Sequence, residues 1–172
     1  MNRTNFIFPE LETDRLRLAV LTLDDAAAVF EHFSDENVTR FMDIEPCRTI
    51  EEANEVIQFH IDDTGTRWGI FNKADGQLIG TCGFHCWVQG EKSRAEIGFD
   101  LAVAHWGRGF MREALQPVLA FGFNRMGLDL IEATVEQGNE RSIGLLKRFQ
   151  FEREIELRDG LIYYCLHREG WR

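Results

Sequence analysis

The chain predicts a mixed α/β (α+β) fold, a single domain over residues 1–172 with one mostly antiparallel central sheet. About seven strands are expected, flanked by four helices. Three observations carry this. Strand-like and helix-like segments follow one another in the order β-α-α-β-β-β-α-β-α-β-β, which suits a single sheet with helices packed on it. Asp75-Gly76 and Asp159-Gly160 each lie between two strand-like runs, where such pairs favour hairpin turns. At 172 residues and 44% hydrophobic content, one domain can bury roughly 70% of its unfolded surface.

The first element is Arg15 to Leu21, which alternates apolar and polar residues as a half-buried strand does. Thr22 and Asp25 then offer an N-cap for a helix over Ala26 to Phe33. Ser34 to Arg48 reads as a loop holding Arg40, Phe41 and Met42. Thr49-Ile50-Glu51-Glu52 is a capping box. It opens a second helix, Glu52 to about Ile61, with Ala53, Val56, Ile57 and His60 on one face. Trp68 to Phe71 and Leu78 to Val88 are hairpin partners around Asp75-Gly76, and Arg94 to Val103 is the next strand. A glycine turn leads into a helix over Phe110 to Met126 that contains Pro117. The proline removes the hydrogen bond to the Glu113 carbonyl, so a bend is expected there. Leu130 to Val135 is a strand and Asn139 to Phe149 a short helix. Phe151 to Leu157 and Leu161 to Leu166 form the last hairpin.

Composition excludes several classes. The net charge is −10, and residues 24–63 alone carry twelve Asp/Glu against two Arg. Residues 94–153 hold eight of each sign. Without a basic stripe, nucleic acid is not an expected partner. The acidic segment either solvates the outer faces of two helices or attracts a cationic acceptor. No apolar run approaches the roughly 20 residues of a membrane span, and the polar start from Met1 to Phe6 lacks the apolar core of a leader peptide. Four cysteines, at 47, 82, 86 and 165, include no C-x-x-C pair. Reduced thiols in a cytoplasmic protein are expected, with no metal site, although Cys82 and Cys86 could share a strand face near His85.

Trp106-Gly107-Arg108-Gly109-Phe110-Met111 follows an apolar strand and opens a helix. A glycine turn there leaves backbone N–H groups unpaired at the positive end of a helix dipole, a seat for a diphosphate. The Walker string G-x-x-x-x-G-K-[ST] is absent, and a dinucleotide G-x-G-x-x-G fails because Arg112 stands at the third glycine. The stretch resembles instead the acyl-CoA loop [Q/R]-x-x-G-x-[G/A] of the GNAT acetyltransferases, with Trp106 and Met111 departing from it. In the form W-G-[KR]-G-[YF]-x-x-E-A it is similar to the RimJ/RimL subgroup, the ribosomal-protein N-terminal acetyltransferases. Trp106, Gly107, Arg108, Gly109, Phe110, Glu113 and Ala114 match that string. The GNAT element order matches the chain as far as Trp171.

The resemblance assigns roles. Leu101 and Val103 would offer strand backbone to the pantetheine of acetyl-CoA, and an N–H near Leu101 would face the thioester oxygen. Arg108, Gly109, Phe110, Met111 and Arg112 would cradle the phosphates. In Asn139-Glu140-Arg141-Ser142 the family's N-x-x-S recurs. Asn139 would bind the pantetheine amide, and Ser142 would pass a proton to the leaving thiolate. From the residues alone, Asn139 reads equally as a helix cap. The family's following G-F is Gln150-Phe151 here, which removes the usual left-handed helix stop. Glu96, in Ala95-Glu96-Ile97-Gly98-Phe99, matches an acid of the subgroup and is the candidate base or amine anchor, acting through water. A structural carboxylate is the competing reading. Arg40, Phe41, Met42, Trp68, Phe84 and Tyr164 could wall the acceptor side or simply fill the core.

The expected activity is acetyl transfer from acetyl-CoA to a primary amine, by direct attack in a ternary complex. The acceptor would be a protein N-terminus, ribosomal above all, or a small cationic amine. A non-catalytic acyl-CoA-binding regulator is the alternative. No cysteine stands where a covalent acyl-enzyme would need it. Either a monomer or a homodimer is compatible with the sequence.

Overall fold

The computed structural model describes residues 6–171. The Met1 to Asn5 part of the start thus lies outside the described residues. Eight strands form one sheet in the order β1-β2-β3-β4-β5-β6-β8-β7. They are β1 (Leu11–Glu12), β2 (Leu16–Val20), β3 (Thr66–Asn72), β4 (Leu78–Val88), β5 (Arg94–Leu101), β6 (Leu130–Val135), β7 (Glu152–Arg153) and β8 (Ile162–His167). The helices are α1 (Ala26–Phe33), α2 (Glu36–Thr39), α3 (Ile50–Asp62), α4 (Phe110–Asn124) and α5 (Glu140–Arg148). Two-residue β1 and four-residue α2 are the additions to the expected elements. Both are too short to show a period in the sequence.

Local chemistry sets the boundaries. The Thr49 hydroxyl accepts from the Glu52 N–H (3.2 Å) and starts α3. Gly76 (φ 73°) and the pair Asp159 and Gly160 (φ 51° and 79°) turn the hairpins. α4 continues through Pro117 over its 15 residues. At the end of α5, Gln150 itself adopts φ 63°, so a residue with a Cβ occupies the left-handed stop. The ladder between β4 and β5 shifts register between His85 and Val88, and Cys86 there has φ 52°. The expected common face of Cys82 and Cys86 is lost at this shift, leaving Cys82 buried and Cys86 exposed.

Helices cover both faces. α4 and α5 pack over Leu16, Trp68, Ile70, Phe84, Ile97 and Ile131. α1 and α3 build a second, smaller core from Val29, Phe33, Ala53 and Ile57. All neighbouring strands run antiparallel except β5 and β6. That parallel pair needs a crossover, which α4 supplies. Their pairing covers only Arg94 to Glu96 against Leu130 to Glu132. Beyond it, β5 runs to Leu101 beside β4, and β6 runs to Val135 beside β8. The sheet therefore opens into a wedge whose apex is Glu96.

Candidate active site

The phosphate loop hangs from the open end of β5. β5 stops at Leu101, two residues before the expected end, and Val103 to His105 form a short 3-10 turn. Gly107 and Gly109 have φ of 72° and 76°, a region costly for residues with a Cβ. Gly109 is the N-cap of α4 and no side chain caps this terminus. Its first N–H groups are the orphan donors of the helix. Arg15 braces the loop by donating to the Arg108 carbonyl (3.1 Å) and lying over the Phe110 ring (4.1 Å). The Glu113 carboxylate locks Arg15 in turn, accepting from its Nε (2.7 Å) and backbone N–H (3.0 Å) and from the Thr13 hydroxyl. Burial raises the Glu113 pKa, but these donors outweigh it and the net shift is downward. Glu113 thus fixes the loop rather than reaching a ligand.

A cavity of about 520 Å³ joins this loop to the wedge. Of the sequence-predicted cofactor residues, Leu101, Gly109, Phe110, Met111, Arg112, Asn139 and Ser142 line it. Val103 and Arg108 are not in its wall. Val103 sits in the 3-10 turn, and Arg108 lies over Phe110 (4.9 Å). Asn37 and Val38 of α2, with Phe41 and Met42, also line the cavity, as do Phe99 and Asp100 of β5.

The roles of two side chains at the cavity escaped the sequence reading. The Trp106 indole donates to the Leu101 carbonyl (2.8 Å), closing the end of β5. Arg141 lies over the same ring, 3.1 Å from its centroid, so a cation–π contact ties α5 to the loop. At the position where the acyl-CoA loop string has Gln or Arg, Trp106 is a structural strut. Asn139 caps α5, its side-chain oxygen accepting from the Ser142 N–H (3.3 Å). The cap leaves the Asn139 amide donors without a partner among the described residues, so capping and ligand binding are compatible. The Ser142 hydroxyl makes no hydrogen bond among the described residues.

The two acids of β5 differ sharply. Glu96 stands outside the cavity wall, at the apex of the wedge, and accepts from the Thr134 hydroxyl of β6 (2.8 Å). Asp100 is buried and saturated. Its Oδ1 accepts from the Thr81 N–H (3.1 Å) and binds His32 Nε2 (2.5 Å). Its Oδ2 accepts from Arg67 (2.8 Å) and the Thr81 hydroxyl (2.6 Å). Burial alone would raise its pKa, yet the His32 bond, Arg67 and Thr81 bring it down to about 2. An anion with its lone pairs filled is a poor base.

Arg67 continues the network to His85 Nε2 (2.8 Å). A guanidinium only donates, so that nitrogen accepts and the His85 proton sits on Nδ1, toward Asp63 (3.3 Å). Burial and then Arg67 lower the His85 pKa to about 4. His85 therefore belongs to a polar core. Gly98 completes this core, because a Cβ there would meet Arg67 at 2.6 Å. Glu152, Cys165 and His167 form a separate group with ligand-type atoms within 4.8 Å of one another. None of them lines the cavity.

A model of the acetyltransferase (GNAT) domain matches residues 15–152. The chain belongs to the GNAT acetyltransferase family. It is 42% identical over 156 residues to the uncharacterized N-acetyltransferase YoaA of Bacillus subtilis (strain 168), covering 88% of each chain. It is 25% identical over 169 residues to the [ribosomal protein uS5]-alanine N-acetyltransferase of Escherichia coli (strain K12), covering 93% of this chain and 87% of the relative. RimL, a ribosomal L7/L12 alpha-N-protein acetyltransferase solved with coenzyme A, superposes with a TM-score of 0.81 at 18% identity. That superposition covers 94% of this chain and 99% of RimL, and it shows the shared fold. The protein is an acetyl-CoA-dependent N-acetyltransferase, moving an acetyl group from acetyl-CoA to an amine. No described helix of the enzyme is long and apolar enough to cross a membrane.

Proposed function

We propose that the enzyme acetylates a primary amine, a protein N-terminus or a small cationic amine, by direct attack within a ternary complex. The observation that carries this is the uncapped N-terminus of α4, which opens onto a cavity that also holds Leu101, Asn139 and Ser142. The residues suit the cosubstrate. Left-handed Gly109 leaves space where a side chain would stand, since a Cβ there would meet only Arg15, at 3.6 Å. The N–H groups of residues 110–112 offer donors to a diphosphate. Bound acetyl-CoA supplies the activated thioester.

The chain's own residues do the rest. The reach of β5 beyond Glu96, which β6 leaves unpaired, binds an extended pantetheine by backbone bonds up to Leu101, whose carbonyl Trp106 already holds. Asn139 orients its amide, and Ser142 holds a proton for the departing sulfur. Glu96, at the apex of the wedge, draws the amine or accepts its proton through water. Asn37, Val38, Phe41 and Met42 form the acceptor end. Arg40, Trp68, Phe84 and Tyr164 have no place in the cavity wall. Three of these four, Trp68, Phe84 and Tyr164, are core. The ribosomal-protein acetyltransferase among the relatives supports a protein N-terminus as one acceptor.

The test is free-thiol release from acetyl-CoA against a panel of ribosomal N-terminal peptides, polyamines and amino acids. Amine-dependent release with at least one primary amine is expected. Release through a stable acetyl-enzyme formed without any amine would contradict direct attack.

A further inference from the structure

Three side chains of metal-ligand type meet at the β7–β8 edge of the sheet. Glu152 stands directly opposite Cys165 in the register of the two strands, and opposed residues put their side chains on the same face. Cys165 and His167 alternate along β8, so they share that face as well. The three ligand atoms lie within 4.8 Å of one another, and Cys165 Sγ is 3.9 Å from His167 Nε2. Two ligand atoms on one tetrahedral zinc ion are about 3.4–3.6 Å apart. Small side-chain rotations close that gap, because Glu152 and His167 are exposed and Cys165 is half-buried.

The surroundings suit a cation. Among the described residues, none of the three side chains is hydrogen-bonded or ion-paired to a residue outside the group. Glu132 faces Cys165 from β6. Its carboxylate accepts from the Tyr163 hydroxyl (2.8 Å), so it adds charge rather than a ligand. Burial, then Glu152, Glu154 and Glu132, push the Cys165 thiol up, against the opposing pull of Arg158. Arg158 is already held by the Glu154 carboxylate (3.0 and 2.6 Å). The carboxylates that disfavour a bare thiolate attract a metal ion, and a coordinating thiol is deprotonated outright.

We propose that Glu152, Cys165 and His167 bind a zinc-class divalent cation, with a water in the fourth position. Thiolate, imidazole and carboxylate are the ligand types zinc takes, whereas magnesium and calcium call for oxygen throughout. As the metal–sulfur bond forms, the Cys165 thiol proton passes to the buffer. The ion ties β7 to β8. β7 otherwise has two register pairs to hold it, and it follows directly on the turn that ends α5. The ion therefore anchors the chain just after the helix that carries Ser142. This site stands apart from the cavity and does not depend on the acetyl-CoA seat. Glu152 meets Cys165 only through the register of two strands, which no cysteine spacing in the sequence reports.

Titration of the full chain with cobalt(II) after chelator treatment, followed by displacement with zinc, tests this. Wild type is expected to bind one cobalt ion with a thiolate-to-metal charge-transfer band. Calorimetry of zinc binding in buffers of different ionisation heat should show release of about one proton. Cys165→Ser should abolish the band. That variant, His167→Gln and Glu152→Gln should each bind zinc at least about tenfold more weakly, with metal-free thermal midpoints unchanged. Zinc should raise the thermal midpoint of wild type by more than that of any of the three variants. Absence of the band in wild type, or a band that Cys165→Ser retains, would overturn the site.

Discussion

Arg67 and Arg148 carry the same group into opposite surroundings. Arg67 is 5% exposed and donates to Thr81, Asp100 and His85. Arg148 is exposed on the cavity rim with no carboxylate partner among the described residues. The difference separates two uses of charge. Where the protein itself completes every bond, the charge is architecture: Arg67, Asp100 and His32 bolt β3, β4 and β5 to α1. Where donors are left over, the charge stays available to a ligand. The same contrast holds between the two acids of β5, saturated Asp100 and Glu96 with its single bond to Thr134.

The largest effect is expected on the architectural side. Arg67→Met strips the buried Asp100 carboxylate of its guanidinium partner, and breaking a buried ion pair typically costs about 3–5 kcal/mol. Denaturant unfolding should show that loss, while Arg148→Gln should stay within about 0.5 kcal/mol of wild type. Similar losses in both variants would erase the distinction.

Next comes Ser142→Ala. The Ser142 hydroxyl has no hydrogen bond among the described residues, so its removal should spare stability. It should lower kcat by roughly a hundredfold, the scale of general acid catalysis, with acetyl-CoA affinity nearly unchanged. Equal loss of kcat and affinity would make Ser142 a binding residue.

The smallest effect concerns His60, whose buried Nδ1 has no hydrogen-bond partner among the described residues and whose ring lies 5.2 Å from that of His85. Burial, then Arg67 and His85, lower its pKa to about 3, while burial and Arg67 hold His85 at about 4. Unfolding returns each to about 6.5. Between pH 6.5 and 4 the unfolded chain therefore binds more protons, and stability falls as pH drops through that window. Asp100, at about 2, adds its loss only below about pH 3.9. His60→Phe should flatten the fall between pH 6.5 and 4 by roughly 1–2 kcal/mol. An unchanged slope in thermal midpoint against pH would place the titration elsewhere.

Much of this was legible in the sequence, for identifiable reasons. α1 and β6 have the bounds their periodicity implies, because one face of each is buried and the pattern records it, and β4 has its bounds as an apolar run buried on both faces. The glycine loop was legible because left-handed turns demand glycine. α2 was hidden in a loop, being a single turn held by the Asp35 cap on the Asn37 N–H (2.9 Å). The Arg67–Asp100–His32 network was hidden because its members are 33 and 68 residues apart, and no local pattern reports such pairing. Trp106 looked like a departure from the loop string. Its bond to the Leu101 carbonyl depends on where β5 ends, which only the fold fixes. Gln150 replaces a glycine yet keeps the left-handed stop, so the turn survives the change of residue.

The most direct measurement is a crystal structure of the enzyme with coenzyme A. The diphosphate oxygens should lie within hydrogen-bond reach of the N–H groups of residues 110–112, with the thiol end pointing to Ser142 along β5. A ligand bound elsewhere, or full CoA affinity retained in Gly109→Val, would contradict the α4 terminus as the seat of the cosubstrate.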